Sequence, residues 1–268
     1  MKNLIEAAKR GEPLIGTVIV SSSPANVEIS GYLGYDFVFI DTEHAPVSPV
    51  GSELENLIRS AYAADIAPVV RVVNNDRSQV RKALDFGAKG IICPFVNTKE
   101  DAQKWVGECL FPPLGTRGGA PVVRATKYGA VSWSEYVKRA NAETIVCGII
   151  ERKQGLQNMD EICSVKGLNA ILCGPFDLAM ELNILMKGDQ AVSETLQMLT
   201  DPTVLKHVDT MIATAKRHGL VVGNIAWSAA NAADMIKRGC NFVAVTGDNN
   251  MFIEIAKKYL DDFRSLLK

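Results

Sequence analysis

The sequence predicts a closed (β/α)8 barrel, or TIM barrel, formed by a single domain over residues 1–268. Eight short apolar runs alternate with segments of helical periodicity along the chain. The length of 268 residues suits one such barrel, which uses about 250. No change of composition marks a linker between two domains. An open doubly wound sheet is the alternative, because sequence alone cannot show whether the sheet closes.

Each predicted strand is a short run of mainly apolar, often β-branched residues. The second run, Phe-Val-Phe-Ile-Asp, is apolar until its last residue, as expected for a strand buried on both faces. The predicted strands are Leu14–Val20, Asp36–Asp41, Pro68–Val73, Gly90–Phe95, Thr144–Glu151, Ala170–Cys173, Leu220–Ile225 and Phe242–Thr246.

Apolar residues at helical spacing predict the helices between these strands. Gly87, Gly239 and Gly219 follow the last turns of three of them, where glycine commonly ends a helix. The C-terminal residues 250–268 form a further amphipathic helix, whose wide apolar stripe would cover the barrel or a neighbouring subunit. The predicted inner helices are Ser52–Ala64, Arg77–Phe86, Lys99–Leu110, Pro202–His218 and Ala229–Arg238.

Two stretches interrupt the regular alternation. Residues 111–136 are rich in Gly and Pro and too long for a standard connection, so they are expected to form a functional loop over one mouth of the barrel. Within them, Gly-Thr-Arg-Gly-Gly lacks the spacing of a dinucleotide or phosphate-binding loop and is interpreted as a flexible lid. Residues 181–200 are similarly irregular.

Composition excludes several classes of protein. With 47% hydrophobic and 22% charged residues the chain resembles a soluble globular protein. Its net charge of -1 gives no field that would attract nucleic acid or an anionic membrane. Six scattered cysteines without a C-x-x-C pair indicate reduced core thiols. We find no signal peptide and no apolar run long enough for a membrane span, so a cytoplasmic location is expected.

Polar residues follow several predicted strands at their C-terminal ends, where barrels of this kind place their chemistry. They are therefore expected to meet at one mouth. In strand order they are Asp41, Glu43 and His44, then Arg71, Glu151, Asp177, Asn224 and Asp248.

The types of these residues suggest metal-assisted chemistry. Glu151 and Asp177 are suitable ligands for Mg²⁺ or Mn²⁺, with water and substrate oxygens completing the shell. Arg71 lies in an apolar strand, which makes it a candidate clamp for a carboxylate or an enolate, and His44 is the candidate general base. Structural alternatives stay open at this point. Arg71 could simply pair with Asp41 or Glu43, a strand-end carboxylate could cap a helix, and a single histidine after a strand is often a structural residue. No G-x-S-x-G or H-E-x-x-H motif supports a serine hydrolase or a zinc protease.

Several motifs in this order resemble those of the HpcH/HpaI family of metal-dependent (class II) pyruvate aldolases, which cleave compounds such as 4-hydroxy-2-oxoheptanedioate. The resemblance extends from about residue 16 to residue 248. It is carried by Phe-Ile-Asp-Thr-Glu-His-Ala-Pro at 39–46, Pro-Val-Val-Arg at 68–71, Leu-Asp-Phe-Gly-Ala at 84–88, Phe-Pro-Pro-Leu-Gly-Thr-Arg-Gly at 111–118, Ile-Glu at 150–151 and Gly-Pro-Phe-Asp-Leu at 174–178.

The resemblance implies a (β/α)8 barrel in a homo-oligomer, a hexamer or trimer of dimers whose C-terminal helices are exchanged between subunits. It also implies one divalent ion per site, Mg²⁺ or Mn²⁺ and also Co²⁺. Residue by residue, the resemblance implies that Glu151 and Asp177 bind the metal and that Arg71 binds the enolate. It implies that His44 is the base, that Asp85 orients His44, and that Asp41 and Glu43 are acidic neighbours of the base. The substrate-binding residues that it implies are Gly174, Pro175, Phe176 and Arg117.

Three positions depart from the family's usual pattern. Ile149 stands where the family has glutamine, Thr42 where glycine is common, and Phe176 where a small residue is usual. A bulkier and less polar site keeps the enolate chemistry but leaves the electrophile open.

The expected function is reversible cleavage of a 4-hydroxy-2-oxo acid to pyruvate and an aldehyde, through a metal-stabilised pyruvate enolate. One alternative is a citrate-synthase-like or decarboxylative condensing enzyme acting on oxaloacetate. Another, from a different class, is a non-catalytic barrel used for binding or assembly.

Overall fold

The chain folds into a closed barrel of eight parallel strands, in which each strand pairs with the next and the last pairs with the first. The computed structural model describes residues 1–185 and 198–267. Closure confirms the predicted TIM barrel over the open sheet. The strands are β1 Leu14–Ile19, β2 Phe37–Asp41, β3 Ala67–Arg71, β4 Gly90–Cys93, β5 Ile145–Ile150, β6 Ala170–Cys173, β7 Val221–Ala226 and β8 Phe242–Gly247.

Helices surround the barrel and match the predicted ones to within one or two residues. Short 3-10 turns cover Arg124–Gly129 and Met198–Thr200, and the rest of the predicted irregular stretch at 181–200 falls largely outside the described residues. The helices are α1 Leu4–Lys9, α2 Pro24–Tyr32, α3 Ser52–Ala63, α4 Arg77–Phe86, α5 Lys99–Cys109, α6 Trp133–Glu143, α7 Lys153–Gln157, α8 Met159–Cys163, α9 Pro175–Glu181, α10 Pro202–Arg217, α11 Ala229–Arg238 and α12 Asp248–Leu266.

The barrel interior is filled by alternate residues of the strands, because successive side chains of a strand point to opposite faces. Phe37 of β2 stacks on Phe242 of β8 with ring centroids 4.0 Å apart. Gly16 of β1 makes room for this pair, since an added Cβ would lie 2.4 Å from the Phe37 ring. The intervening residues, such as Val38 and Ile40, pack outward against the helices. Among the described residues, the interior is therefore a packed core.

The predicted helix ends and cysteine states are confirmed. Gly87 and Gly239 follow α4 and α11 with φ of 104° and 120°, a left-handed backbone that glycine adopts without steric cost. All six cysteines are free and buried. Burial raises the pKa of the Cys163 thiol to about 12, so this group is a poor nucleophile.

The Gly/Pro-rich segment at 111–136 packs against the helical layer rather than over the mouth where the strands end. The Thr116 N–H donates to the Gly107 carbonyl near the end of α5, and the Arg124 guanidinium donates to the Phe86 carbonyl at the end of α4. Helix α4 ends where β4 begins, so this contact lies toward the opposite end of the barrel. Within one chain, the segment therefore does not cover the mouth at which the strands end, and its role as a functional loop stays a prediction.

Helix α12 leaves its apolar residues in solvent. Phe252, Tyr259 and Leu266 are 74%, 71% and 84% exposed, and no residue of this helix is buried. The exchange of this helix between subunits stays a prediction. Within the described parts of the chain, none of the helices has the length and apolar character needed to cross a membrane.

Candidate active site

The alternation that packs the barrel interior also places the polar residues at its C-terminal end. Phe39, Val69 and Ile149 face the interior of β2, β3 and β5. Two residues further along, the same face carries Asp41, Arg71 and Glu151. These three polar side chains therefore form the layer directly above the apolar core.

Asp41 and Arg71 form the central ion pair of this layer. They lie opposite each other in the register of β2 and β3. Arg71 Nε donates to Asp41 Oδ1 at 2.9 Å, and Nη2 donates to Oδ2 at 2.6 Å. Burial alone would raise the pKa of Asp41, but the hydrogen bonds and charge of Arg71 lower it below its ordinary value. Asp41 is only 2% exposed, so this bidentate pair holds the guanidinium in one orientation.

Glu43 links this ion pair to the candidate base. Its Oε2 lies 3.2 Å from Arg71 Nη1 and 3.8 Å from His44 Nε2. Burial raises the pKa of Glu43 more than Arg71 and His44 lower it. The backbone N–H groups of Glu43 and His44 both donate to Asp41 Oδ1, so Asp41 also shapes the turn after β2. The His44 side chain is 70% exposed and is accessible to water and to a ligand.

Glu151 follows β5 and is almost fully buried. Its Oε1 accepts a hydrogen bond from the Phe95 backbone N–H at 2.7 Å. Burial raises the pKa of Glu151 to about 7; the Phe95 N–H opposes this rise, and the nearby carboxylates of Asp177 and Glu43 add to it. Two further acids near a buried glutamate leave this region with excess negative charge.

Asp177 and residues 174–176 belong to the first turn after β6. With Arg71 and Glu151 they line a cavity of about 330 Å³ at the end of the barrel. Phe176 is 43% exposed at its rim. The predicted metal ligands and the predicted enolate clamp thus face one cavity, and the predicted substrate turn forms part of its wall.

Gly174 allows this turn to approach Glu151 closely. A Cβ added there would lie 2.5 Å from the Glu151 Cβ and 3.1 Å from Oε2. Gly174→Ala is therefore expected to displace Glu151 and to lower the free energy of unfolding by about 1–3 kcal/mol. Denaturant unfolding measures this change. Gly107→Ala is the matched control, since its Cβ would meet nothing closer than 3.4 Å, and an equal effect of the two substitutions would contradict the steric argument.

Asp85 and Arg117 lie together in a second cluster. Arg117 Nη2 donates to Asp85 Oδ1 at 3.0 Å and to the Tyr136 hydroxyl at 3.1 Å, and its guanidinium lies over the Phe111 ring. Burial raises the pKa of Asp85 despite this ion pair. Among the described residues no hydrogen bond or ion pair joins Asp85 to His44, and Arg117 does not line the 330 Å³ cavity. The roles predicted for these two residues stay predictions.

The structure adds residues that sequence reasoning missed. Phe95 contributes a backbone N–H, for which the sequence carries no signal; its backbone is left-handed, with φ of 54°. Ile225 lines the cavity, and the alternation along β7 would have indicated it. The same alternation turns the Asn224 side chain outward, so Asn224 does not line the cavity. Asp248 does not line it either, and its carboxylate accepts a hydrogen bond from the Val20 N–H in the turn after β1.

The site's chemistry fits a divalent cation. Glu151 and Asp177 are oxygen donors on one cavity, beside the excess negative charge that a cation would neutralise. In the described part of the chain no cluster of three or more His, Cys, Asp or Glu side chains could hold a metal by itself. The two carboxylates would therefore need water and ligand oxygens to complete an octahedral shell, as Mg²⁺ sites commonly do.

Comparison with known families shows which family the chain belongs to. The family model described as HpcH/HpaI aldolase/citrate lyase matches residues 15–254 of the chain. The chain belongs to the HpcH/HpaI family. It is accordingly an enzyme with carbon–carbon lyase activity, which excludes the alternative of a non-catalytic barrel.

Individual family members resemble the chain over nearly its whole length. A 2-keto-3-deoxy-L-rhamnonate aldolase of Klebsiella pneumoniae is 33% identical, covering 96% of this chain and 91% of its own. The crystal structure of a family protein from Burkholderia cenocepacia superposes with a TM-score of 0.87 at 29% identity, covering 98% of this chain and all of the other. The citrate synthase SbnG superposes with a TM-score of 0.83 at 27% identity, covering 98% and 97%.

Proposed function

We propose that this enzyme is a divalent-metal-dependent aldolase that reversibly cleaves 4-hydroxy-2-oxo acids to pyruvate and an aldehyde. One observation carries the proposal: two carboxylates, Glu151 and Asp177, share a cavity with the guanidinium of Arg71. A 2-oxo acid presents a carboxylate and a carbonyl oxygen, which suit a cation and an arginine side by side. The aldolase relatives at 31–33% identity add support.

Different residues of the chain would bind the metal, the developing enolate and the substrate carboxylate. Glu151 and Asp177 would hold Mg²⁺ or Mn²⁺, with Co²⁺ as a further ion of suitable charge; when bound, the ion would polarise the 2-oxo group as a Lewis acid. Arg71, fixed by Asp41, would donate hydrogen bonds to the oxygen on which enolate charge develops. The turn at Gly174, Pro175 and Phe176 would position the substrate carboxylate.

Proton transfer would fall to His44. Acting directly or through a water, His44 would take the proton from the C4 hydroxyl. The C3–C4 bond would then break, its electron pair moving into the enolate while the aldehyde departs. Returning the proton to C3 would give pyruvate. Glu43, whose Oε2 lies 3.8 Å from His44 Nε2, would stabilise the protonated imidazole. The orienting role predicted for Asp85 would fall to the Asp85 of a second copy of the chain, because within one chain this residue lies at the end of α4, toward the opposite end of the barrel.

Metal removal tests this function. Pyruvate release from a panel of 4-hydroxy-2-oxo acids is expected to fall about a hundredfold or more after exhaustive chelation, because the ion is worth several kcal/mol in the transition state. Added Mg²⁺ or Mn²⁺ should restore it. A lactate-dehydrogenase-coupled assay measures the pyruvate. Undiminished release after complete metal removal would reject the proposal.

A condensing enzyme acting on oxaloacetate is the second candidate. The similarity to the citrate synthase SbnG favours it, as does the apolar Ile149 that lines the cavity. Free thiol appearing when oxaloacetate and acetyl-CoA are mixed with the enzyme would identify this activity. Absence of thiol, together with pyruvate release from 4-hydroxy-2-oxo acids, would favour the aldolase.

We also propose a homo-oligomer, for which a hexamer or trimer of dimers is the expected form. The exposed apolar stripe of α12 supports it, since a stripe of this size is commonly covered by another subunit. A cytoplasmic location and small-molecule partners, without nucleic acid or membrane, belong to the same proposal.

A further inference from the structure

The cavity at the barrel mouth has two chemically different halves. On one side, β3, the residue after β5 and the turn after β6 supply Arg71, Glu151 and Asp177. The opposite side is built by β7, β8 and β1, which are neighbours around the closed barrel. Their lining residues include Ile225, Trp227, Val18 and Val20, so the circular strand order separates a charged half from an apolar half.

The floor of the cavity continues the apolar half. Ile149 and Leu172 are each 2% exposed and line the cavity from the barrel core. Among the described lining residues, Arg71 is the only basic one, and its guanidinium already pairs with Asp41 and Glu43.

Few polar groups face the apolar half. Among the described lining residues, the hydrogen-bonding side-chain groups of this half are the Thr246 hydroxyl, the Asn250 amide and the indole N–H of Trp227, and Asn250 is exposed at the rim. A hydroxylated chain placed against Ile225 and Val18 would lose hydrogen bonds to water without replacing them, which costs free energy. A second carboxylate there would face no free basic group among the described residues.

We infer that the second substrate of this enzyme is an apolar aldehyde, bound against the wall formed by Ile225, Trp227, Val18 and Val20, rather than a hydroxylated or carboxylated one. The inference rests on the proposed aldolase function. Pyruvate occupies the charged half, and the aldehyde chain extends over the apolar half.

The rates of aldol addition to different aldehydes test the inference. With pyruvate and Mn²⁺, kcat/KM is expected to rise about fourfold per methylene from propanal to hexanal, the gain expected for burying one CH2 group. Hexanal should exceed both glyceraldehyde and succinic semialdehyde by about tenfold or more. Deuterium exchange of the pyruvate methyl group, measured without aldehyde, reports the enolate chemistry separately.

Two substitutions of Ile225 separate the effect of the wall's polarity from the effect of its shape. Ile225→Val and Ile225→Thr remove similar volume, but only the second places a hydroxyl in the wall. The ratio of kcat/KM for hexanal to that for glyceraldehyde should fall about tenfold further in Ile225→Thr than in Ile225→Val. Because the ratio of two kcat/KM values is compared, a loss of activity that affects both aldehydes equally cancels. The aldehyde series measured with the wild-type enzyme tests the inference even if one variant fails to fold.

The outcomes separate this inference from the proposed function. A rising series from propanal to hexanal with the expected ratio change supports the inference. Methyl exchange together with a preference for glyceraldehyde or succinic semialdehyde overturns the inference while leaving the aldolase proposal intact. Loss of both methyl exchange and pyruvate release overturns the proposed function and the inference with it.

Discussion

Arg71→Met is expected to lower the free energy of unfolding by about 3–5 kcal/mol, because it leaves the buried carboxylates of Asp41 and Glu43 without their cation. It should also reduce kcat by about a hundredfold or more, since a donor to the developing enolate is lost. Denaturant unfolding measures the first effect, and pyruvate release with saturating Mn²⁺ measures the second. Arg59→Met is the control: Arg59 pairs with Glu55 on the surface of α3, where a salt bridge contributes little.

A double mutant separates charge from packing in this prediction. Asp41→Asn added to Arg71→Met removes one of the two unpaired charges and should recover part of the lost stability, while activity stays low. If the double mutant is as unstable as the sum of the two single mutants, then the two side chains are not coupled. That result would contradict the ion-pair interpretation of the β2–β3 register.

Glu151→Gln is expected to weaken Mn²⁺ binding and reduce pyruvate release by about a hundredfold or more, because an amide oxygen is a poorer ligand than a carboxylate. Titration calorimetry with Mn²⁺ measures binding without turnover. Glu161→Gln on the exposed face of α8 is the matched control. Unaltered Mn²⁺ affinity in Glu151→Gln would reject the role of Glu151 as a ligand.

The same variant should change the pH dependence of stability in the metal-free protein. The pKa of Glu151 rises on folding from an ordinary value of 4.5 to about 7, so the folded state holds this proton more tightly than the unfolded state. The free energy of unfolding should therefore fall by about 3 kcal/mol as pH rises from 4.5 through 7. Unfolding curves across this range should show that decrease in the wild type and lose it in Glu151→Gln, while Glu161→Gln keeps it.

Secondary structure and fold class could be predicted because they depend on local periodicity. All eight strands and the main helices lie within one or two residues of their predicted bounds, since apolar spacing and terminal glycines act over a few residues. The polar ends of the strands likewise identified Asp41, Arg71, Glu151 and Asp177. Asp41 and Arg71 were recognisable because charge is rare in an otherwise apolar strand and needs a partner or a ligand, and Glu151 and Asp177 because they closely follow the apolar runs of β5 and β6.

Tertiary structure decided how these residues are partnered. The bidentate pair of Asp41 with Arg71 depends on the register of β2 and β3, and the Phe95 N–H on Glu151 depends on backbone that carries no sequence signal. Arg117 could not be placed from its glycine-rich surroundings, because its position follows from Asp85 and Tyr136, which are distant in sequence.

The chain by itself therefore determined the alternation of eight strands with helices and which charged residues follow the strands, because both depend on short-range patterns. The division of the mouth into a charged half and an apolar half depends on closure of the barrel. Closure brings β8 and β7 beside β1, and residues more than 200 positions apart in the sequence, such as Val18 and Ile225, then share one wall. No local pattern can specify that proximity.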